Sequence, residues 1–214
     1  MAVTPEWIRS HELLGRDIAK AARRDGLNVK SVTDLVRTSE RYPSVIPVLI
    51  DWLKHADERV TITDPRELGQ FRSGIYRALT TIDAMGTEAV TLIMKDLYRT
   101  PQMSPATLGA AANALRFLAV PSDYDEMATI AADRSLGSGR AAVLEWIIKQ
   151  GLPEGLQLVV DQLDDPSVRA LGIKYIRQYK PLPSGLRPII ERYLDAPDSE
   201  VRKQAKATLK KLPT

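Results

Sequence analysis

Asp51 and His55 stand four positions apart, one turn of a helix, with Asp57 and Glu58 close behind. Side chains at that spacing converge, and an imidazole beside a carboxylate is half of a divalent-metal site. Completing it takes a further histidine or cysteine at ligand spacing. The chain has two histidines, His11 and His55, and no cysteine. His11, next to Glu12, is no better placed, so both are read as surface pairs and no metal is expected. Leu136-Gly137-Ser138-Gly139-Arg140 puts two glycines at a helix start, where free backbone N–H groups could hold a phosphate. The segment matches neither the P-loop nor the dinucleotide fingerprint; a tight loop with Ser138 as helix cap explains the same residues. The carboxylate pairs Asp125-Glu126 and Asp164-Asp165 fall at helix boundaries, where capping calls for them. Gly-x-Ser-x-Gly and His-Glu-x-x-His are absent. Without cysteine, thiolate catalysis, disulfides and cysteine metal sites are excluded. Nothing in the sequence implies a cofactor or an enzymatic reaction.

The elements that would position these residues are helices. Asp64-Pro65-Arg66-Glu67 is a strong helix start: Asp64 as cap, Pro65 at the first helical position, Glu67 closing a capping box. Behind it Leu68, Phe71, Ile75, Leu79 and Ile82 form one apolar stripe. Further helix starts fall near residues 43, 87, 104, 122, 138, 153, 166, 184 and 197. They are marked by Pro43, Thr87, Ser104-Pro105, Ser122 with Asp125, Ser138, Pro153, Pro166, Ser184 and Pro197, with Gly151 as a stop. The starts pair naturally as 43 with 64, 87 with 104, 122 with 138, 153 with 166, and 184 with 197. Residues 56–63 make a longer turn than the others, and Arg59-Val60-Thr61-Ile62-Thr63 reads as extended. Insertions of this kind map to loops that can bind. A helix from Pro5 to about Arg24, stopped by Gly26, and a short helix after Ser31 read as an N-terminal cap over residues 1–42. No linker composition separates it from residues 43–214, so one domain is expected.

The pairing has a period. Leu163-Asp164-Asp165-Pro166 returns as Leu194-Asp195-Ala196-Pro197, each followed by Val-Arg, at Val168-Arg169 and Val201-Arg202. Fixed periods of this size mark stacked helix pairs that share a continuous core. The phrase resembles the HEAT and HEAT-like (PBS-lyase-type) repeat family, with weaker echoes at Phe71-Arg72 and Arg140-Ala141. Gly109 stands where the other second helices place arginine. The resemblance implies an all-α, right-handed α-solenoid of about five helix pairs with its second helices lining a concave wall. It also implies that Arg169 and Arg202, with Asp164, Asp165, Asp195 or Asp198, form a ladder bridging adjacent turns, and that Arg72, Arg169 and Arg202 serve the scaffold. HEAT-like alkylpurine DNA glycosylases carry aromatic residues and a catalytic aspartate on the concave face, and no such set aligns here. A HEAT-like lyase acting on bilins has no supporting motif.

With 44% apolar and 27% charged residues over 214 positions, the composition is that of an ordinary soluble protein. No apolar run is long enough for a membrane span, and Met1–Ser10 lacks the pattern of a secretory signal. A cytoplasmic location is therefore expected. The net charge of +3 is uneven: residues 163–214 hold 11 basic and 6 acidic groups. The expected function is a non-enzymatic protein-binding scaffold. Tyr76, which lies off the apolar stripe and should face outward, joins Arg77, Glu145, Lys174 and Arg177 as its contacts. Trp7, Trp52 and Trp146 read as packing residues. The rival reading is nucleic-acid binding through Lys174, Arg177, Lys203, Lys206 and Lys210. Equivalent outward positions of the second helices read Arg77, Ala114, Glu145, Lys174 and Ala207. That is a mixed row rather than the basic stripe a phosphate groove needs.

Overall fold

The computed structural model describes residues 4–213, and among these every regular element is helical, with no strand. Thirteen α-helices are present among the described residues, joined by short 3-10 turns. The chain gathers into two compact units, one running up to Val120 and the other starting at Pro121.

The first unit contains α1 (Pro5–Ala22), α2 (Val32–Arg37), α3 (Ile46–Lys54), α4 (Ala56–Arg59), α5 (Pro65–Leu79), α6 (Ala89–Asp96) and α7 (Pro105–Leu118). Helix α5 is its centre and packs against α1, α2, α3 and α7, while α6 packs on α3 and α7. Leu14, Ile18, Leu49, Phe71, Ile75, Leu79, Ile93 and Leu115 are buried in the interior. The second unit contains α8 (Tyr124–Ala132), α9 (Ala141–Lys149), α10 (Pro153–Asp161), α11 (Arg169–Ile176), α12 (Leu186–Glu191) and α13 (Ser199–Leu209). Here the packing is sequential: α9 lies against α8, α10 and α11, then α11 against α10 and α13, with α12 on α13. Met127, Ile130, Leu144, Ile147, Val159, Ile173, Ile176 and Val201 fill this interior.

Every expected helix start lies within three residues of an observed one. The caps are less uniform. Asp64 accepts from the backbone N–H groups of Arg66 and Glu67 at 2.8 and 2.9 Å, Ser104 from Thr107, and Asp198 from Glu200 and Val201. Gly26 and Gly151 occupy the left-handed region, at φ 74° and 72°, and end the helical runs before them. Glu67 closes no capping box; it is buried, and the Thr4 hydroxyl donates to it at 2.5 Å. Ser122 and Ser138 cap nothing, because 3-10 turns over Pro121–Asp123 and Arg134–Arg140 precede α8 and α9. Helix α5 ends at Leu79, so Ile82, the last residue of its expected stripe, is 61% exposed. The expected 56–63 turn is partly helical: Ala56–Arg59 form α4, with acidic Asp57 and Glu58 in its first turn, so Arg59 is helical rather than extended. Only Val60–Thr63 are irregular, with Val60 and Ile62 buried and Thr61 and Thr63 exposed.

Candidate binding surface on the second helices

Two arginines are wholly buried, and each reaches into the turn of another helix pair. Arg72, on α5, donates to Asp96 at 2.7 Å, to Asp57 at 3.0 Å and to the Leu53 carbonyl. Asp96 ends α6 and lies 24 residues further along the chain. Arg140, at the foot of α9, donates to Gln162 and the Ala131 carbonyl and pairs with Asp165, 25 residues on. Burial alone would raise the Asp57 and Asp165 carboxyls. For Asp57 the hydrogen bonds from Arg99 and Arg72 outweigh it, and for Asp165 the bonds from Ser167 and Arg140 do, so both sit below the usual carboxylate range. Arg72 and Arg140 thus each join their own helix to a carboxylate further along the chain.

Arg169 and Arg202 do something else. Arg169 donates to the carbonyls of Leu163 and Asp164 at 2.7 and 2.6 Å. Arg202 donates to those of Ala196 and Pro197 at 2.7 and 2.8 Å. In both cases the acceptors lie six and five positions back in the chain. The expected ladder of Arg169 and Arg202 with Asp164, Asp165, Asp195 or Asp198 is therefore replaced by two clamps on the preceding turn. The physical reason is reach: the turn carbonyls lie within the span of each side chain, and Asp198 is already capping α13.

Tyr76 does not face outward. It is fully buried, and its hydroxyl donates to Asp96 at 2.8 Å within the Arg72 cluster. Burial pushes the phenol well above its ordinary pKa. A single-stripe reading fails because α5 is enclosed on more than one side. Ala114 is buried for the same reason, on an alanine-rich helix that packs closely against both α5 and α6. Arg77 is exposed on α5, in the first unit.

The other three expected contacts lie together in the second unit. Gln178 donates from the end of α11 to Glu145 on α9 at 3.3 Å, and Glu145 also pairs with Lys149. Arg177 donates to Gln204 on α13 at 2.6 Å and to the Lys174 carbonyl. Lys174 is exposed, its ammonium 5.9 Å from the Tyr175 ring centroid. Side-chain hydrogen bonds thus tie α9 to α11 and α11 to α13 across the surface of this unit. Beside α13 they border a groove of about 580 Å³ lined by Arg177, Ser199, Arg202, Lys203, Lys206, Ala207, Lys210 and Lys211. Four of the five residues of the nucleic-acid reading, Arg177, Lys203, Lys206 and Lys210, line it; Lys174 does not. Gln178, Gln204 and Lys211 escaped the sequence reading. The helical spacing from Lys203 and Lys206 to Lys210 was visible, but a glutamine paired across helices leaves no mark on one helix.

The two histidines make only local hydrogen bonds among the described residues. His55 Nδ1 lies 3.1 Å from Asp51, which also pairs with Arg59 at 2.6 Å; that pairing holds the Asp51 carboxyl low. Arg59 in turn sits over the Trp52 ring at 5.4 Å. His11 packs at a tilt on Trp7 and meets Phe71 edge-on, and burial lowers its pKa. Among the described residues no group of three His, Asp or Glu side chains could hold a metal ion. Leu136, Gly139 and Arg140 of the glycine loop are buried, which fits a tight loop. No described helix is long and apolar enough to cross a membrane. Comparison with protein families, curated proteins and solved structures gives no match to this chain.

Proposed function

We propose that this chain is a non-enzymatic binding module of the HEAT-like type, a right-handed α-solenoid that offers the exposed side of its second helices to a protein partner in the cytoplasm. The observation that supports it best is the tie across α9, α11 and α13, from Glu145–Gln178 to Arg177–Gln204. A row of charged and amide groups held in place by its own hydrogen bonds loses little freedom when a partner docks. Glu145, Lys174 and Arg177 are its contact residues, with Arg77 the corresponding surface residue of the first unit. Tyr76, being buried, supports the scaffold instead. Repetition of the carbonyl clamp at Arg169 and Arg202 supports the assignment to stacked, equivalent repeats.

A second reading, nucleic-acid binding, draws on the groove beside α13, where Arg177, Lys203, Lys206 and Lys210 meet. Affinity purification of the tagged protein with and without nuclease separates the two. Partners that survive nuclease are the result expected of a protein-binding module. Partners lost with nuclease, together with duplex affinity that falls steeply with salt, would replace it with the second reading.

A further inference from the structure

We infer that the groove beside α13 receives a short acidic segment of the partner, an extended stretch with carboxylates at alternate positions. This deepens, and rests on, the protein-binding reading above. The groove carries six cationic side chains, and among the described residues only Lys203 is tied to an acid, Glu200, at 3.3 Å. Lys206, Lys210 and Lys211 make no ion pair among the described residues. Arg177 and Arg202 have their guanidiniums oriented by Gln204 and by the turn carbonyls of Ala196 and Pro197. Their positive charge is fixed in place, and no carboxylate of the described residues pairs with it. A groove so built attracts anions and has already met part of the ordering cost.

Spacing and borders set the size of the ligand. Lys203, Lys206 and Lys210 follow one another along a single helix face, and at about 1.5 Å per residue they advance by about 4.5 and 6 Å. Alternate residues of an extended chain are about 6.6 Å apart, so neighbouring carboxylates on one side of a strand meet successive lysines. Ala207 lies between the lysines and leaves room for a backbone. On the far side of α11 stands Glu145 of α9, bonded to Gln178 and paired with Lys149. A long polyanion running along the second helices would meet that carboxylate; a short segment would not. No aromatic ring lines the groove, so it lacks the stacking platform of a single-strand binder.

The test uses the full chain and three fluorescent probes: an eight-residue peptide of alternating Glu and Ser, the same peptide with Gln for Glu, and a DNA duplex of comparable charge. Anisotropy titrations are run at low and high salt. Expected are saturable binding of the Glu peptide, none of the Gln peptide, weaker binding of the duplex, and a loss of at least about tenfold in the double variant Lys206→Glu/Lys210→Glu. Both lysines are exposed, and circular dichroism checks that the variant is folded. Glu-peptide binding that the variant leaves unchanged, or tighter binding of the duplex, would overturn the inference, the latter in favour of nucleic acid. Failure of the broader reading looks different. Nuclease-resistant partners held equally by wild type and variant would leave the protein-binding module standing without its acidic segment. No captured partner would remove the module, while the titrations still judge the groove.

Discussion

Arg169 and Arg202 meet the same local requirement with different donor atoms: carbonyls in the turn before a helix accept from a guanidinium five and six residues further on, through Nε and Nη2 of Arg169 and through Nη1 of Arg202. Both side chains are half-buried, so Arg169→Ala and Arg202→Ala should each cost about 1–2 kcal/mol, and by similar amounts. Denaturant midpoints of the two variants check this; a large effect at one and none at the other would break the equivalence of the repeats. Arg140 is a different case. Its removal leaves buried Gln162 and the Ala131 carbonyl without that donor and Asp165 with Ser167 alone, and Arg140→Ala should cost about 3 kcal/mol. The buried arginines' carboxylate partners also contribute to stability on the acid side. Asp57 and Asp165 have folded-state pKa values below the ordinary 3.8. The stability they contribute is therefore complete above that value and is lost as pH falls through their lowered values. Urea midpoints should hold near pH 5 and drop below about pH 3.8, with a shallower drop in Asp165→Asn.

At the scale of elements, the local signals that carried the helix starts were the ones that satisfy backbone N–H groups. Asp64 and Ser104 are caps in fact as in sequence; Asp198, which the resemblance placed in the arginine ladder, caps α13 instead. Asp198→Ala should therefore cost about 1 kcal/mol, whereas Ser138→Ala and Ser122→Ala, at positions whose hydroxyls cap nothing, should stay within about 0.5 kcal/mol of wild type in thermal or chemical melts. Long-range partners were not legible. Glu67 fits a capping box but answers to Thr4, and Tyr76 sits off its stripe yet serves Asp96 from another helix. Helical periodicity tells which side of one helix is apolar; it is silent about how many neighbours enclose that helix. The same limit explains why Lys203, Lys206 and Lys210, on one helix, were found as a group, while Gln178 and Gln204, whose roles depend on α9 and α11, were not.

At the scale of the molecule, the proposed partner surface lies on α9, α11 and α13, and residues 163–214 hold 11 basic and 6 acidic groups. Exposed lysines act mainly through long-range attraction, so salt should slow partner association more than it speeds release; surface plasmon resonance at two ionic strengths reads the split. The most direct measurement is hydrogen–deuterium exchange on the full chain, alone and with a partner captured after nuclease treatment. Slowed exchange in peptides spanning α9, α11 and α13, and little change in those from α1 to α4, is the expected footprint. Protection centred on α1 to α4, with α11 and α13 unaltered, would contradict it.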